Sequence, residues 1–229
     1  MKTIKKHALT ALVGAIVLGT GAAQAAVSEQ EAAKLGQSLT PVGAEKAGNA
    51  AGTIPAWEGG IVRPPAGFRV GTFHPDPFAA DKVLYSVTRA NVAQYGEVLT
   101  PGQKAMFAKY PTFRMDVYPT RRSASFPQRT YEFTKRNATQ CQLVANGEGV
   151  KNCAEGIPFP IPQNAYEVIW NHKLKYKGLS VISYSNQAAP SANGSFTLTR
   201  VREELLGLYY KPGNTSENIN NILLYFKQE

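Results

Sequence analysis

The chain has 229 residues, of which 43% are hydrophobic and 18% charged, with a formal net charge of +9. Its length suits one large domain or two small ones with a substantial core. Basic residues are scattered, with short clusters only at Arg121-Arg122, Lys135-Arg136 and 173–177; this excludes a nucleic-acid arm and reads as solvated faces, with attraction to anionic lipid headgroups as the alternative.

The N-terminus carries Lys2, Lys5 and Lys6, then an uncharged apolar run over 8–21, then the small residues Ala23-Gln24-Ala25. This is the pattern of a secretory signal peptide, with cleavage expected after Ala25 and a periplasmic mature protein. The run is shorter than the ~20 residues a membrane-spanning helix needs. The leader holds three basic residues and no acid, so the mature charge falls by three.

Ser28-Glu29-Gln30-Glu31 has the form of a capping box and predicts a short first helix. From 39 to 77 the chain is rich in Gly, Pro and Ala and loses periodicity, an extended irregular segment whose Trp57, Phe68, Phe73 and Phe78 are expected to anchor it. Helical spacing of Val83, Leu84 and Val87 predicts a helix within 79–95, and Thr100-Pro101-Gly102-Gln103 signals a second, with Met106, Phe107 and Tyr110 as its buried face. Alternating patterns predict strands at 113–118, 130–135, 166–171, 179–187 and 195–210, and an apolar one within 219–229. Gly156-Ile157-Pro158-Phe159-Pro160-Ile161-Pro162 is expected to be a stiff loop, because each proline lacks the donor that a ladder requires. Short links between the later strands favour an antiparallel meander. The organisation expected is a leader over 1–25, an extended segment with one short helix over 26–78, and helices plus sheet over 79–229.

Cys141 and Cys153 lie twelve residues apart. In an exported chain they are expected to form a disulfide stapling a hairpin that turns at Asn146-Gly147, worth ~3 kcal/mol in the chain-entropy model.

Catalytic patterns are missing: no nucleophile elbow, no phosphate-cradling glycine loop and no metal-binding His pair. His172 is the only residue to which a general-base role attaches, and a polar strand end is the simpler reading. No cofactor, metal or nucleic acid is expected. The chemistry that remains is apolar. Trp170, Tyr176, Tyr184, Phe196, Leu198, Tyr225 and Phe226 form the candidate hydrophobic-ligand surface, and the residues leave open whether helices plug it or leave a cleft.

Two blocks carry a family resemblance: 110–122, beginning Tyr110-Pro111-Thr112-Phe113-Arg114, and the proline-rich loop followed by Glu167-Val168-Ile169-Trp170-Asn171-His172. They resemble the proteobacterial exported family defined by domain of unknown function 1329, described as similar to outer-membrane lipoprotein-sorting proteins. The resemblance implies an α+β fold like the carriers LolA and LolB: a strongly curved antiparallel sheet, an incomplete barrel, with N-terminal helices packed as a lid. It also implies that the chain is the N-terminal half of something longer, and an association with transporters of the resistance-nodulation-division class and outer-membrane partners. The function expected is a periplasmic carrier or accessory protein for lipids or other hydrophobic molecules. The alternative is a non-catalytic adaptor of an envelope transport complex.

Overall fold

The computed structural model describes residues 27–218 and the backbone of a last strand over 223–228. The expected leader, 1–25, lies outside the described residues.

The first helix is set by its cap. Ser28 Oγ accepts the Glu31 N–H at 3.2 Å, and α1 (Glu29–Ala32) is one turn long. It buries Ala32, together with Leu35, against Ala138. The irregular segment that follows is tied to residues far along the chain: the Arg122 guanidinium donates to the carbonyls of Glu45, Lys46, Ala47 and Pro55, and the segment's own Trp57 Nε1 donates to the Ala124 carbonyl at 2.9 Å. Gly43, at φ +94°, lies against the Pro160 carbonyl where no Cβ fits. Of the four expected anchors, Trp57, Phe68 and Phe78 are half-buried, whereas Phe73 is 95% exposed and anchors nothing.

The helix expected within 79–95 is instead a strand, β1 (Tyr85–Thr88), and a 3-10 turn, Val92–Val98. The strand pairs antiparallel with β2 (Arg114–Val117), Tyr85 opposite Val117. β-branched Val87 and Thr88 suit the strand, and Asn91 reinforces the turn: its Oδ1 accepts the Thr88 N–H at 2.7 Å and its Nδ2 donates to the Ser86 carbonyl at 3.0 Å. The next helix, α2 (Pro101–Lys109), carries the expected capping box between Thr100 and Gln103. Only Phe107 of its anticipated face is buried, beneath Val87 and Leu99; Met106 and Tyr110 are 40% and 43% exposed.

Two segments expected as strands are helices. α3 (Gln128–Gln140) buries Thr130, Thr134, Asn137 and Ala138, spaced at helical intervals. Its buried stripe is polar, so the alternation of Tyr131 and Phe133 pointed the wrong way. α4 (Ala165–Lys173) is capped by Asn164, whose Oδ1 accepts the Glu167 N–H at 3.1 Å; buried Glu167 in turn accepts from the Gln163 N–H at 2.6 Å and Asn164 Nδ2 at 3.0 Å. Between them runs a short hairpin, β3 (Gln142–Val144) and β4 (Gly149–Lys151), turning through Asn146 at φ 56°. The disulfide Cys141–Cys153 closes it; both residues are fully buried, beside Phe159 and Tyr209.

The proline-rich loop is held rather than laddered. Asn171 Oδ1 accepts the Phe159 N–H at 2.9 Å while its Nδ2 donates to the Phe159 carbonyl at 2.7 Å. Gly156 passes against the backbone of Thr134, closer than any Cβ allows.

The expected meander follows: β5 (Ser180–Pro190), β6 (Phe196–Leu206) and β7 (Leu223–Gln228) are consecutive, antiparallel and in the order β5-β6-β7. The fold is thus mixed helix and sheet, each described sheet is antiparallel, and none closes into a barrel. The buried faces of α1 and α2 belong to two small cores, on α3 and on β1–β2.

Candidate hydrophobic-ligand surface

β5 and β6 are joined by a tight turn at Asn193-Gly194, with Gly194 at φ 85°. Opposed residues of an antiparallel pair share a face. The register Ile182↔Glu204, Tyr184↔Arg202, Asn186↔Arg200, Ala188↔Leu198 and Pro190↔Phe196 therefore gathers Ile182, Tyr184, Leu198 and Phe196 on one side. All four are open to solvent, at 55%, 72%, 48% and 65% exposure. The other side is partly covered near its root, where Val201 is buried and Val181 and Leu205 are half-buried.

The open side is apolar at both ends and cationic in the middle. Arg202 lies 6.0 Å from the Tyr184 ring centroid and pairs with Glu204. A groove of about 260 Å³ runs here, lined by Phe73, Tyr184, Asn186, Arg200 and Arg202 among others. Phe73, which failed as an anchor, is thus an exposed ring beside the sheet.

Of the candidate residues, Tyr184, Phe196 and Leu198 come together on this face. Trp170 and Tyr176 sit elsewhere: Trp170 packs on the disulfide cluster and donates from Nε1 to the Gly147 carbonyl at 2.9 Å, and Tyr176 makes edge contacts with Phe126 and Tyr210 at 5.9 and 4.9 Å. Tyr225 and Phe226 take register positions opposite Glu204 and Glu203, and their side chains lie outside the described residues. Ile182 is a member that the candidate set lacked; its two-residue spacing from Tyr184 was the available signal. On α4, Tyr166 and Ile169, one turn apart, are 57% and 56% exposed and form a second apolar spot.

Electrostatics elsewhere are structural. The Arg129 guanidinium, hydrogen-bonded to Glu155, holds that buried carboxyl below its ordinary range against the opposing effect of burial, with help from the Gly213 N–H. Burial pushes the hydroxyls of Tyr209 and Tyr210 far up, and each donates to a carbonyl, of Gly156 at 2.9 Å and Leu174 at 2.6 Å. His74 and His172 are both exposed. Among the described residues no three His, Cys, Asp or Glu side chains cluster to hold a metal, and no helix is long and apolar enough to cross a membrane.

Comparison with known proteins places the chain. Residues 86–229 match the family described as "Protein of unknown function (DUF1329)". The chain belongs to this family. The whole chain is also 45% identical to an uncharacterized protein of Pseudomonas aeruginosa and spans 50% of that relative's length. No solved structure matches. The DUF1329 match begins within β1 and so includes the entire β5–β6 face.

Proposed function

We propose that this DUF1329 protein is a periplasmic carrier or accessory protein that binds lipids or other hydrophobic molecules on the open face of β5–β6. The observation that carries the reading is the one-sided exposure of Ile182, Tyr184, Phe196 and Leu198, because a soluble protein seldom leaves so many large apolar side chains together in water without use. Burying an acyl chain there gains ~0.8 kcal/mol per methylene. The leader pattern, with cleavage after Ala25, and the disulfide both fit an exported chain. A LolA/LolB-like incomplete barrel, with this sheet as one part of a longer chain, belongs to the same proposal, as does cooperation with a resistance-nodulation-division transporter. Native mass spectrometry of gently purified protein tests it. Co-purified lipid that disappears in a Tyr184→Lys, Leu198→Lys variant is the expected result; repeated absence of lipid from the unaltered protein overturns it.

A second reading, an adaptor that docks by strand addition, is favoured by the edge of the same sheet. The Gly207 N–H donates to the Leu179 carbonyl and the Ser191 N–H to the Ser195 carbonyl, both at 2.8 Å, which sets the ladder's phase. Ser180, Ile182, Tyr184, Asn186 and Ala188 therefore aim their backbone groups outward. β5 carries no charged residue and no proline before Pro190, so the devices that usually blunt an edge are missing. Asn186→Pro removes an outward N–H without touching the ladder; abolished pulldown of envelope components, with lipid binding intact, would favour the adaptor.

A further inference from the structure

Three lysines frame a small apolar pocket at the root of the β5–β6 hairpin. The pocket, of about 100 Å³, has Leu174, Leu205, Leu208 and the rings of Tyr209 and Tyr210 as its floor, and Lys173, Lys175 and Lys177 along its rim. Leu205 alternates with Glu204 along β6, so the pocket opens on the side of the sheet away from Tyr184. It is separate from the face described above.

The chemistry of floor and rim differs sharply. Both tyrosine hydroxyls are committed to carbonyls, so the floor presents carbon. No carboxylate among the described residues forms an ion pair with any of the three lysines. Lys173 Nζ instead lies 3.8 Å from the Trp170 ring centroid. Lysines that line a carbon-rich hollow and have no carboxylate partner among the described residues suit a ligand that is anionic at one end and apolar just behind it. A free inorganic anion makes no use of the floor, and a neutral lipid makes no use of the rim.

We propose that this pocket binds the head and first carbons of an anionic amphiphile, a carboxylate or phosphate monoester carrying an acyl or alkyl chain. The volume holds the head and its nearest carbons; the rest of the tail stays outside. This goes beyond the hydrophobic-ligand reading by giving the ligand a negative charge and a second place of contact.

Trp170 reports on the pocket through Lys173. In a Trp57→Phe background it is the one remaining tryptophan, and its emission is followed during titration with dodecyl phosphate, sodium dodecanoate, dodecyl maltoside and inorganic phosphate, each below micelle formation. We expect at least one of the two anionic amphiphiles to bind about tenfold more tightly than dodecyl maltoside, equivalent to ~1.4 kcal/mol. A Lys173→Gln, Lys175→Gln, Lys177→Gln variant with unchanged thermal unfolding, titrated by calorimetry because it lacks the Lys173 link to Trp170, should lose that preference. The stronger of the two anions distinguishes a fatty-acid source from a phospholipid one. Equal binding of charged and neutral amphiphiles, retention of the preference in the triple variant, or inorganic phosphate binding as tightly as dodecyl phosphate overturns the anionic pocket while leaving the apolar face standing. Unchanged Trp170 emission with every amphiphile also overturns the anionic pocket; it says nothing of the Tyr184 face, from which Trp170 is remote and whose test is the native mass spectrometry.

Discussion

Asn137 and Ala154 hold each other through two hydrogen bonds: Asn137 Nδ2 donates to the Ala154 carbonyl at 2.9 Å, and the Ala154 N–H donates to Asn137 Oδ1 at 3.1 Å. The side chain is wholly buried, so its amide acts as a piece of sheet between α3 and the 154–157 loop. Replacing it with alanine leaves the buried Ala154 N–H without a partner, while the Ala154 carbonyl keeps the Gly156 N–H. Asn137→Ala should cost about 2 kcal/mol or more, read as a lowered urea midpoint with unchanged slope.

The disulfide should contribute on a similar scale. Cys141 and Cys153 close a loop of twelve residues' separation, for which chain entropy predicts ~3 kcal/mol. A Cys141→Ala, Cys153→Ala protein, or the reduced wild type, should melt well below the oxidised form. Equal melting temperatures would show that the buried cluster with Phe159 and Tyr209 holds the hairpin unaided.

Glu155 gives a prediction in pH. Its folded pKa lies below the unfolded value because Arg129 and the Gly213 N–H favour the carboxylate. A depressed carboxylate stabilises the fold above its unfolded pKa, near ~4.3, and loses that contribution as pH falls through the folded pKa. Glu155→Gln should therefore be less stable than wild type by about 2 kcal/mol at pH 7, with the gap narrowing below about pH 4. Parallel stability curves for the two proteins would show that the carboxylate's charge does not matter.

The open face predicts a separation of stability from binding. Phe196 and Leu198 are 65% and 48% exposed, so changing either to lysine should alter stability by less than about 0.5 kcal/mol. Loss of one buried leucine-sized contact with a bound acyl chain should weaken that binding about tenfold, measured by calorimetric titration.

What the sequence made legible was local. The helix starts at Ser28 and Thr100 could be read because each cap is made by residues three apart, and the β5–β6 hairpin because its turn and alternation are continuous in the chain. α3 and α4 were missed because the faces they bury carry Thr134, Asn137 and Glu167 rather than apolar residues; Val168 and Ile169, which suggested a strand, are more than half exposed. β1 was missed because its partner, Val117 opposite Tyr85, is far along the chain. Tyr184, Phe196 and Leu198 were recoverable from strand period. The lysine-rimmed pocket was not, since Lys173–Lys177 meets Leu205 and Leu208 only through the return of β6.

The grip of Arg122 on Glu45, Lys46, Ala47 and Pro55 has a practical consequence. Val62, Val70 and Phe73 mark the intervening stretch as open to a protease, at 77%, 93% and 95% exposure. A cut there nicks the backbone without releasing the amino-terminal piece, so the two fragments should co-elute under native conditions and part only in denaturant. With Arg122→Ala the packing of Ala32 and Leu35 on Ala138 and the Trp57 bond to Ala124 remain, so the fragments should part at a lower denaturant concentration than in the unaltered protein.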